Sequence, residues 1–314
     1  MRWFLIWVLG MASLCAAVTP QAASNHWATG NRVVNRTVLV GPSELPFSMP
    51  TDCAVAPNGN LYVLDGVNHR VVVYDEKGTL LRQFGSQGNG PGQFEFPLGL
   101  CVTPDGHVYV ADSGNSRFQV FSSEGDVIEA VAVPKTGADV LSDPTDVIVN
   151  PRLNRLYVVD NDNHKLHVYN LLSRTFEGVW GGPGQGRRQF RYPFLLDISD
   201  QGYLFIVEPI NTRVQVLNPQ GKFVNFVGQW GVKSGQLFRP KGVAVVGRRV
   251  YVTDSYLGRV QMFDMYGEFL GVLSDATGTP VALTTPTGIS ADIPNKRLYV
   301  VELKANQVSR LDVE

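Results

Sequence analysis

A five-residue motif recurs six times along the chain and constrains its fold more than any other feature. Each copy is a short apolar run that contains an aromatic residue and ends in a carboxylate: Leu61–Asp65, Val108–Asp112, Leu156–Asp160, Leu204–Glu208, Val250–Asp254 and Leu298–Glu302. Successive carboxylates stand 46 to 48 residues apart. A fixed period of this length indicates a repeat architecture in which each unit is one supersecondary structure.

Each unit holds enough strand-forming segments for a small antiparallel sheet. A proline such as Pro50 or Pro240 opens a short apolar segment before the motif, and an alternating segment such as Arg117–Phe121 follows it. A glycine turn then leads to a fourth segment, for example Leu80–Phe84. β-Branched and aromatic residues favour strands, and Gly and Asn turns join them. Four antiparallel strands in each unit of ~47 residues predict one blade of a β-propeller.

The two ends of the chain indicate how the ring closes. The last unit has only three strand segments and ends near Val313, while an unpartnered segment at residues 32–40 precedes the first proline. We predict that this N-terminal strand completes the last blade, which leaves no unpaired sheet edge between units. The expected fold is therefore all-β, a six-bladed β-propeller of four-stranded antiparallel blades at residues 24–314.

The N-terminal segment predicts export. Arg2 is followed by an apolar run at residues 3–17 and then by small residues, a pattern typical of a signal peptide at residues 1–23 with cleavage between residues 17 and 24. The run of roughly 15 residues is shorter than the ~20 that span a bilayer. An uncleaved anchor is the alternative. We expect a periplasmic, cell-surface or extracellular protein with no transmembrane segment after leader removal.

Two cysteines remain beyond the leader, Cys53 and Cys101. An oxidising compartment permits a disulfide, but a chain of this length buries enough core not to need one. The two residues have opposite parity on equivalent strands of neighbouring units, so their side chains either face each other or point apart. Buried free thiols are the favoured interpretation.

The residues of the second unit resemble the NHL repeat. The segment Val108–Phe121, with Asp112, Asn115 and Arg117, and the connection Gly92–Pro97 carry the resemblance most clearly. It implies a six-bladed β-propeller used mostly as a binding platform, although fold does not fix function. Units five and six depart from the pattern, because Leu257 and Ala305 replace the Asn and Gln307 replaces the Arg.

The repeated carboxylate, Asn and Arg invite a catalytic interpretation, but their presence in nearly every unit favours a structural one. Asn and Asp bond their own backbone in tight turns, and an Arg can bind a carboxylate through two hydrogen bonds. We predict that the set braces the turn after each motif.

The resemblance also brings in a metal hypothesis. The peptidyl-hydroxyglycine amidating lyase is an NHL-type propeller whose channel zinc is bound by histidines two residues after the blade prolines. The matching positions here hold no histidine: Asp52, Gly99, Asp146, Leu195, Gly242 and Gly288. We therefore expect no zinc site and no cofactor. Calcium near Asp52 and Asp146, as in propeller lactonases, is the alternative, but two carboxylates are few ligands for a hard cation.

Charge is informative only locally. The chain has 27 Lys and Arg against 28 Asp and Glu, so its net charge provides no overall attraction to nucleic acid. Two connections on one rim, at residues 181–193 and 228–240, combine basic and aromatic residues without an acidic one. The predicted ligand-binding residues are Arg187, Arg188, Arg191, Tyr192, Trp230, Lys233, Arg239 and Lys241. Such a patch suits an anionic partner; solvated charges and packing aromatics are the alternative.

These patterns predict an exported, non-catalytic binding or scaffold propeller. Its expected partner is an acidic protein, a peptide or a polyanionic glycan, and nucleic acid is not expected. A metal-dependent lyase or lactonase-like enzyme with a divalent cation in the central channel is the alternative, and a purely structural role in a surface complex is a third. The sequence contains no H-E-x-x-H, G-x-S-x-G or C-x-x-C motif.

Overall fold

The computed structural model describes residues 32–136 and 141–314. The predicted leader at residues 1–23 lies outside the described residues. In chain order the strands are β1 Val33–Leu39, β2 Pro50–Val55, β3 Leu61–Asp65, β4 Arg70–Tyr74, β5 Leu80–Phe84, β6 Ser86–Gln87, β7 Gln93–Phe94, β8 Pro97–Val102, β9 Val108–Asp112, β10 Arg117–Phe121, β11 Val127–Ala132, β12 Pro144–Asn150, β13 Arg155–Asp160, β14 Lys165–Asn170, β15 Phe176–Gly181, β16 Leu196–Ile198, β17 Leu204–Glu208, β18 Arg213–Leu217, β19 Phe223–Val227, β20 Pro240–Val246, β21 Arg249–Asp254, β22 Arg259–Asp264, β23 Phe269–Val272, β24 Pro286–Asp292, β25 Arg297–Glu302 and β26 Gln307–Val313. Three short 3₁₀ helices are at Ser113–Asn115, Pro151–Leu153 and Leu303–Ala305.

Twenty-four of these strands form six four-stranded antiparallel blades. From the inner to the outer strand, blades 1 to 5 are β2–β5, β8–β11, β12–β15, β16–β19 and β20–β23, and blade 6 is β24, β25, β26 and β1. Each inner strand contacts the inner strands of both neighbouring blades, so the six sheets form a closed ring around a channel. The predicted six-bladed β-propeller is confirmed.

The ring closes through the N-terminal strand, as predicted. β1 pairs antiparallel with β26, and Thr37, Val38 and Leu39 stand opposite Arg310, Ser309 and Val308. The first strand of the chain is thus the outer strand of the last blade. This pairing supplies the edge that three strands alone would leave open.

The core lies between the faces of adjacent blades. The second and third strands are buried on both faces, which explains why β3, β9 and β17 are apolar almost without interruption. Leu64 and Val71 of blade 1, for example, pack in one cluster with Val108 and Val110 of blade 2. The outer strands are largely exposed or half-buried.

The repeated carboxylate braces each turn, as predicted. Asp112 accepts hydrogen bonds from Asn115 Nδ2 (2.9 Å), Arg117 Nε (2.7 Å) and Gln119 Nε2 (3.1 Å), and from the backbone N–H of Glu95 (2.8 Å). One buried carboxylate therefore ties together a strand end, its turn and the incoming connection. Asp65 and Glu208 occupy equivalent positions with the same kinds of donor.

Candidate functional site

The connections between blades and the turns between second and third strands lie at the same end of the blades, because the inner strand starts where the second strand ends. We call this face the connection rim. All eight predicted ligand-binding residues lie on connection segments or, for Lys241, one residue into β20. The structure divides them between separate parts of the rim.

Trp230, Arg239 and Lys241 come together in one cavity of about 730 Å³. We call this cavity the rim groove. Ile210, Tyr256 and Lys304 line it as well, from the turns of blades 4, 5 and 6. The Trp230 side chain is 71% exposed and that of Tyr256 is 62% exposed, so the groove presents its aromatic residues to solvent. The ring centroids of Tyr256 and Phe238 lie 4.3 Å apart.

The remaining predicted residues lie outside the rim groove. The Arg187 guanidinium lies 5.1 Å from the ring centroid of Phe223, on the outer strand of blade 4. Lys233 lines a second cavity of about 410 Å³ with Phe226 and Phe269. Arg188 donates its backbone N–H to the side-chain oxygen of Gln215, and Arg191 is exposed. Tyr192 lies against His164, with ring centroids 4.6 Å apart.

The basic residues of this sector carry uncompensated charge. Within residues 32–136 and 141–314, none of the predicted arginines and lysines, nor Lys304, forms an ion pair with a carboxylate. The arginines of three blade turns differ, since Arg70 is paired with Asp65, Arg117 with Asp112 and Arg213 with Glu208. Unpaired cations on one face produce a local positive potential in a chain whose formal net charge is −1.

Three large side chains on the rim are held by an uncommon backbone conformation. Met49, Phe96 and Tyr192 each precede a blade proline and have φ of 47°, 47° and 48°. All three are exposed. Bulky residues rarely adopt this left-handed region, which costs of order 1–3 kcal/mol. The propeller therefore holds these three side chains at its surface through a fixed backbone conformation.

Part of that constraint comes from two histidines of the turns. His69 Nδ1 accepts the backbone N–H of Phe96 (3.3 Å), and His164 Nδ1 accepts that of Tyr192 (3.1 Å). Each histidine also lies against the ring of the residue that it holds. These two histidines position the rim and do not approach each other as metal ligands would.

The central channel contains three carboxylates that face neighbouring blades. Asp52 accepts the backbone N–H of Leu100 (3.1 Å), and Asp146 accepts that of Leu196 (2.8 Å). Asp197 accepts the backbone N–H of Val245 (2.6 Å). The inner strand is a sheet edge, so its N–H groups need acceptors from outside the blade. The channel carboxylates supply them and join adjacent blades.

Burial in the channel shifts the titration of these groups. Desolvation raises the pKa of Asp52 to about 7, although the N–H groups of Leu100 and Cys53 oppose the shift. The same cause raises the pKa of Asp197 to about 7 and raises that of Asp146 well above its ordinary value. The charges of the three carboxylates also repel one another, which favours protonation further.

Two glycines leave the space that these carboxylates occupy. A Cβ atom on Gly288 would lie 2.2 Å from Asp52 Oδ1, and one on Gly99 would lie 2.3 Å from Asp146 Oδ1. In the described part of the chain, no group of three or more His, Cys, Asp or Glu residues is placed to hold a metal ion. The geometry instead suits hydrogen bonding between blades.

The two cysteines point apart and are free thiols. Cys53 is buried between blades 6 and 1, with its Sγ 3.6 Å from the carbonyl oxygen of Tyr299. Cys101 lines the channel and packs against apolar side chains of blades 3 and 4. Desolvation raises the pKa of both thiols.

Sequence reasoning missed Asp197 and the three groove residues Ile210, Tyr256 and Lys304. Asp197 stands four residues after Pro193, where the other blades have Ala54, Cys101, Ile148, Ala244 and Ser290. A carboxylate among small and apolar residues was a usable signal. The groove residues gave none, because they come from three different repeats.

Comparison with known proteins shows which repeat family the blades resemble. The fold is a six-bladed β-propeller, and residues 47–74 and 94–121 match the NHL repeat. These segments span the first three strands of blades 1 and 2, so the resemblance found in the sequence is confirmed. The chain is 29% identical over 128 residues to the protein Brain tumor of Drosophila melanogaster, which is 40% of this chain but only 12% of that protein's length.

Solved structures share the propeller fold at low sequence identity. A streptogramin B lyase has a TM-score of 0.64 at 13% identity, with 89% of this chain and 98% of that chain covered. A gluconolactonase of Xanthomonas campestris has a TM-score of 0.66 at 16% identity, with 90% and 92% covered. These similarities show the fold alone. No helix in the described ranges has the length and apolar character required to cross a bilayer.

Proposed function

We propose that this protein is an exported, non-catalytic propeller that docks an acidic protein, peptide or polyanionic glycan through the basic, aromatic sector of its connection rim. The observation that carries the proposal is the rim groove. Arg239, Lys241 and Lys304 line it beside exposed aromatic side chains and form no ion pair with described residues. A cavity lined by unpaired cations together with aromatic and apolar side chains is complementary to an anion that carries apolar groups.

The construction of the groove supports binding rather than a solvated face. Its residues come from connections and turns fixed by buried carboxylates, such as Asp254, which accepts the N–H groups of Phe238 (2.7 Å) and Arg239 (3.2 Å). Loops held in this way lose little conformational entropy when a partner binds. Trp and Tyr supply large contact areas with few rotatable bonds.

Two charge-reversed variants test the proposal. The groove variant carries Arg239→Glu and Lys304→Glu, and the outer variant carries Arg187→Glu and Arg188→Glu with the same change in net charge. We expect the groove variant to lose at least tenfold in affinity for immobilised polyglutamate or polygalacturonate, and the outer variant to lose less. Equal affinities for the wild type and the groove variant would reject the rim groove as the site.

Export is part of the proposal and rests on the leader pattern at residues 1–23. Amino-terminal sequencing of the mature protein tests it. Because cleavage is predicted between residues 17 and 24, we expect the first residue of the mature protein to be one of residues 18–24. A mature chain that retains Met1 would favour the uncleaved anchor.

A second candidate is a lyase or lactonase-like enzyme that acts in the central channel. The observation in its favour is the set Asp52, Asp146 and Asp197, because buried carboxylates with raised pKa are frequent among acid and base catalysts. Metal analysis of the purified protein separates the two candidates. A stoichiometric divalent cation that is lost on Asp52→Asn and Asp146→Asn would favour the enzyme over the binding platform.

A further inference from the structure

An apolar pocket occupies the mouth of the channel on the connection rim. It has a volume of about 260 Å³ and is lined by residues from blades 1, 2, 4, 5 and 6. We call it the mouth pocket. Its apolar lining residues include Met49, Val67, Phe96, Leu98, Phe194 and Leu303. Phe96 is 54% exposed, so the pocket is open to solvent on the rim side.

Three of the four hydroxyl side chains that line the mouth pocket already donate hydrogen bonds within the wall. Thr51 Oγ1 donates to the carbonyl of Pro97 (3.4 Å) in the next blade, and Thr287 Oγ1 donates to the carbonyl of Thr51 (3.0 Å). Ser255 Oγ donates to the carbonyl of Arg239 (3.1 Å). Since these oxygens are engaged in the wall, the pocket offers a ligand mainly carbon atoms.

Lys241 is the exception. Among the six residues that directly follow the blade prolines it is the one with a charge: Thr51, Leu98, Thr145, Phe194, Lys241 and Thr287. Its Nζ lies 4.2 Å from the ring centroid of Phe194 and forms no hydrogen bond or ion pair with described residues. Burial and the neighbouring charge of Arg239 lower the pKa of Lys241. A carboxylate beside the Lys241 ammonium group would favour its charged form and so offset both effects on the pKa.

Lys241 also joins the two cavities. It lines the mouth pocket and the rim groove together with Ser255 and Thr285. A ligand that crosses this junction meets an apolar cavity on one side of the ammonium group and the cationic, aromatic groove on the other. A ligand that occupies both cavities must therefore carry an apolar group and an anionic group close to each other.

We propose that the mouth pocket is an anchor site for an apolar side chain that stands next to a carboxylate in an acidic peptide segment, with the carboxylate paired to Lys241. This inference rests on the proposed docking function and specifies its ligand. A polyanionic glycan carries the charge but lacks the side chain that would fill the pocket. Full burial of one Leu side chain is worth roughly a tenfold gain in affinity or more.

Fluorescein-labelled synthetic peptides test the anchor. The adjacent peptide has one Leu next to an Asp in an otherwise Gly, Ser and Asp sequence. The separated peptide has the same composition with four glycines between Leu and the nearest Asp, and the third peptide has Gly in place of Leu. We expect the wild-type protein to bind the adjacent peptide about tenfold more tightly than either of the others.

Two matched variants locate the effect. Lys241→Met keeps the apolar stem and removes the charge at the junction, whereas Lys304→Met removes a groove charge that does not line the mouth pocket. We expect Lys241→Met to abolish the preference for the adjacent peptide. Lys304→Met should weaken the binding of all three peptides by the same factor and keep the preference for the adjacent peptide.

The outcomes separate this inference from the proposed function. Equal binding of the adjacent and separated peptides by the wild-type protein overturns the anchor while acidic binding stands. An unchanged preference in Lys241→Met also overturns it. If none of the peptides binds the wild-type protein even at low salt, the anchor fails, and the docking function fails with it only if polyglutamate and polygalacturonate do not bind either.

Discussion

Arg36 in the first strand supplies the cation that Glu302 in the last blade lacks locally. Arg36 Nη2 lies 2.5 Å from Glu302 Oε1, and Gln307 occupies the place where other blades have Arg or Lys. Glu302 also accepts hydrogen bonds from Ser309 (2.6 Å) and from the backbone N–H of Thr284 (2.6 Å). The departure of blade 6 from the repeat is therefore compensated across the closure of the ring.

Replacing Arg36 tests this closure. In Arg36→Met a buried carboxylate loses its cation, so we expect the free energy of unfolding to fall by about 1–3 kcal/mol. Arg36 is one-third exposed, which keeps the effect below that of a fully buried pair. Urea denaturation followed by circular dichroism measures the loss.

Arg32→Met is the matched control. Arg32 pairs with Glu314 at 3.5 Å in the same region, but both side chains are about half exposed. Exposed pairs contribute about 0–1 kcal/mol, so this variant should be close to the wild type. Equal losses in the two variants would contradict the closing role of Arg36.

The channel carboxylates predict that stability falls as pH rises. The pKa of Asp52 is raised from 3.8 to about 7 on folding, so its contribution is fully present below pH ~4 and is lost as pH rises through 7. Asp146, Asp197, Cys53 and Cys101 are the titratable groups that interact with it. Asp52→Asn keeps an acceptor for Leu100 and removes the charge.

We therefore expect Asp52→Asn to have a higher Tm than the wild type at pH 8 and a similar Tm near pH 5. Differential scanning fluorimetry across this range measures the difference. Asp75→Asn is the control, because Asp75 lies in a turn on the opposite rim, where the N–H groups of Thr79 and Lys77 lower its pKa, so that it stays charged across this pH range. A loss of Tm in Asp52→Asn that is equal at both pH values would contradict the account.

Gly288→Ala tests the space that Asp52 requires. The new Cβ would meet Asp52 Oδ1 at 2.2 Å and Asp52 Cα at 2.6 Å, so the inner strands of blades 6 and 1 must separate. Overpacking of this kind typically costs about 1–3 kcal/mol. Thermal unfolding measures the cost, and a variant as stable as the wild type would show that the two strands are not in fixed contact.

The free thiols predict a simple titration. On unreduced protein without the leader, we expect two thiols to react with Ellman's reagent in denaturant. The folded protein should react slowly, because burial raises the pKa of both thiols and limits the thiolate. Absence of reactive thiols in the denatured, unreduced protein would show a disulfide that the structure does not contain.

The architecture could be predicted because its signals are local and repeat within every unit. The carboxylate that ends each motif finds its donors a few residues away, as Asp112 does with Asn115 and Arg117. Closure could be predicted from an unpartnered strand near the N-terminus and a last unit with only three strands. These features can be predicted from the repeat period and from the number of strands in each unit.

The candidate site could be predicted only in part, because it is assembled across units. Tyr256 and Lys304 reach the rim groove from turns whose spacing along the chain reflects the repeat and not the cavity. The replacement of a local Arg by Arg36 depends on which strand closes the ring. Arg187 and Arg239 lie in equivalent connections, yet one extends over an outer strand and the other lines the groove.

The fluorescence of Trp230 provides the most direct test of docking at the rim groove. Trp230 is exposed in the groove, whereas Trp180 lies between blades against Tyr157. Titration with polyglutamate at low salt should give a saturable change in tryptophan fluorescence that is absent in Trp230→Phe. The affinity obtained from this change should be at least tenfold lower in the variant that carries Arg239→Glu and Lys304→Glu, and it should fall as the salt concentration rises. A change that persists in Trp230→Phe, or an affinity indifferent to the groove charges, would contradict the account.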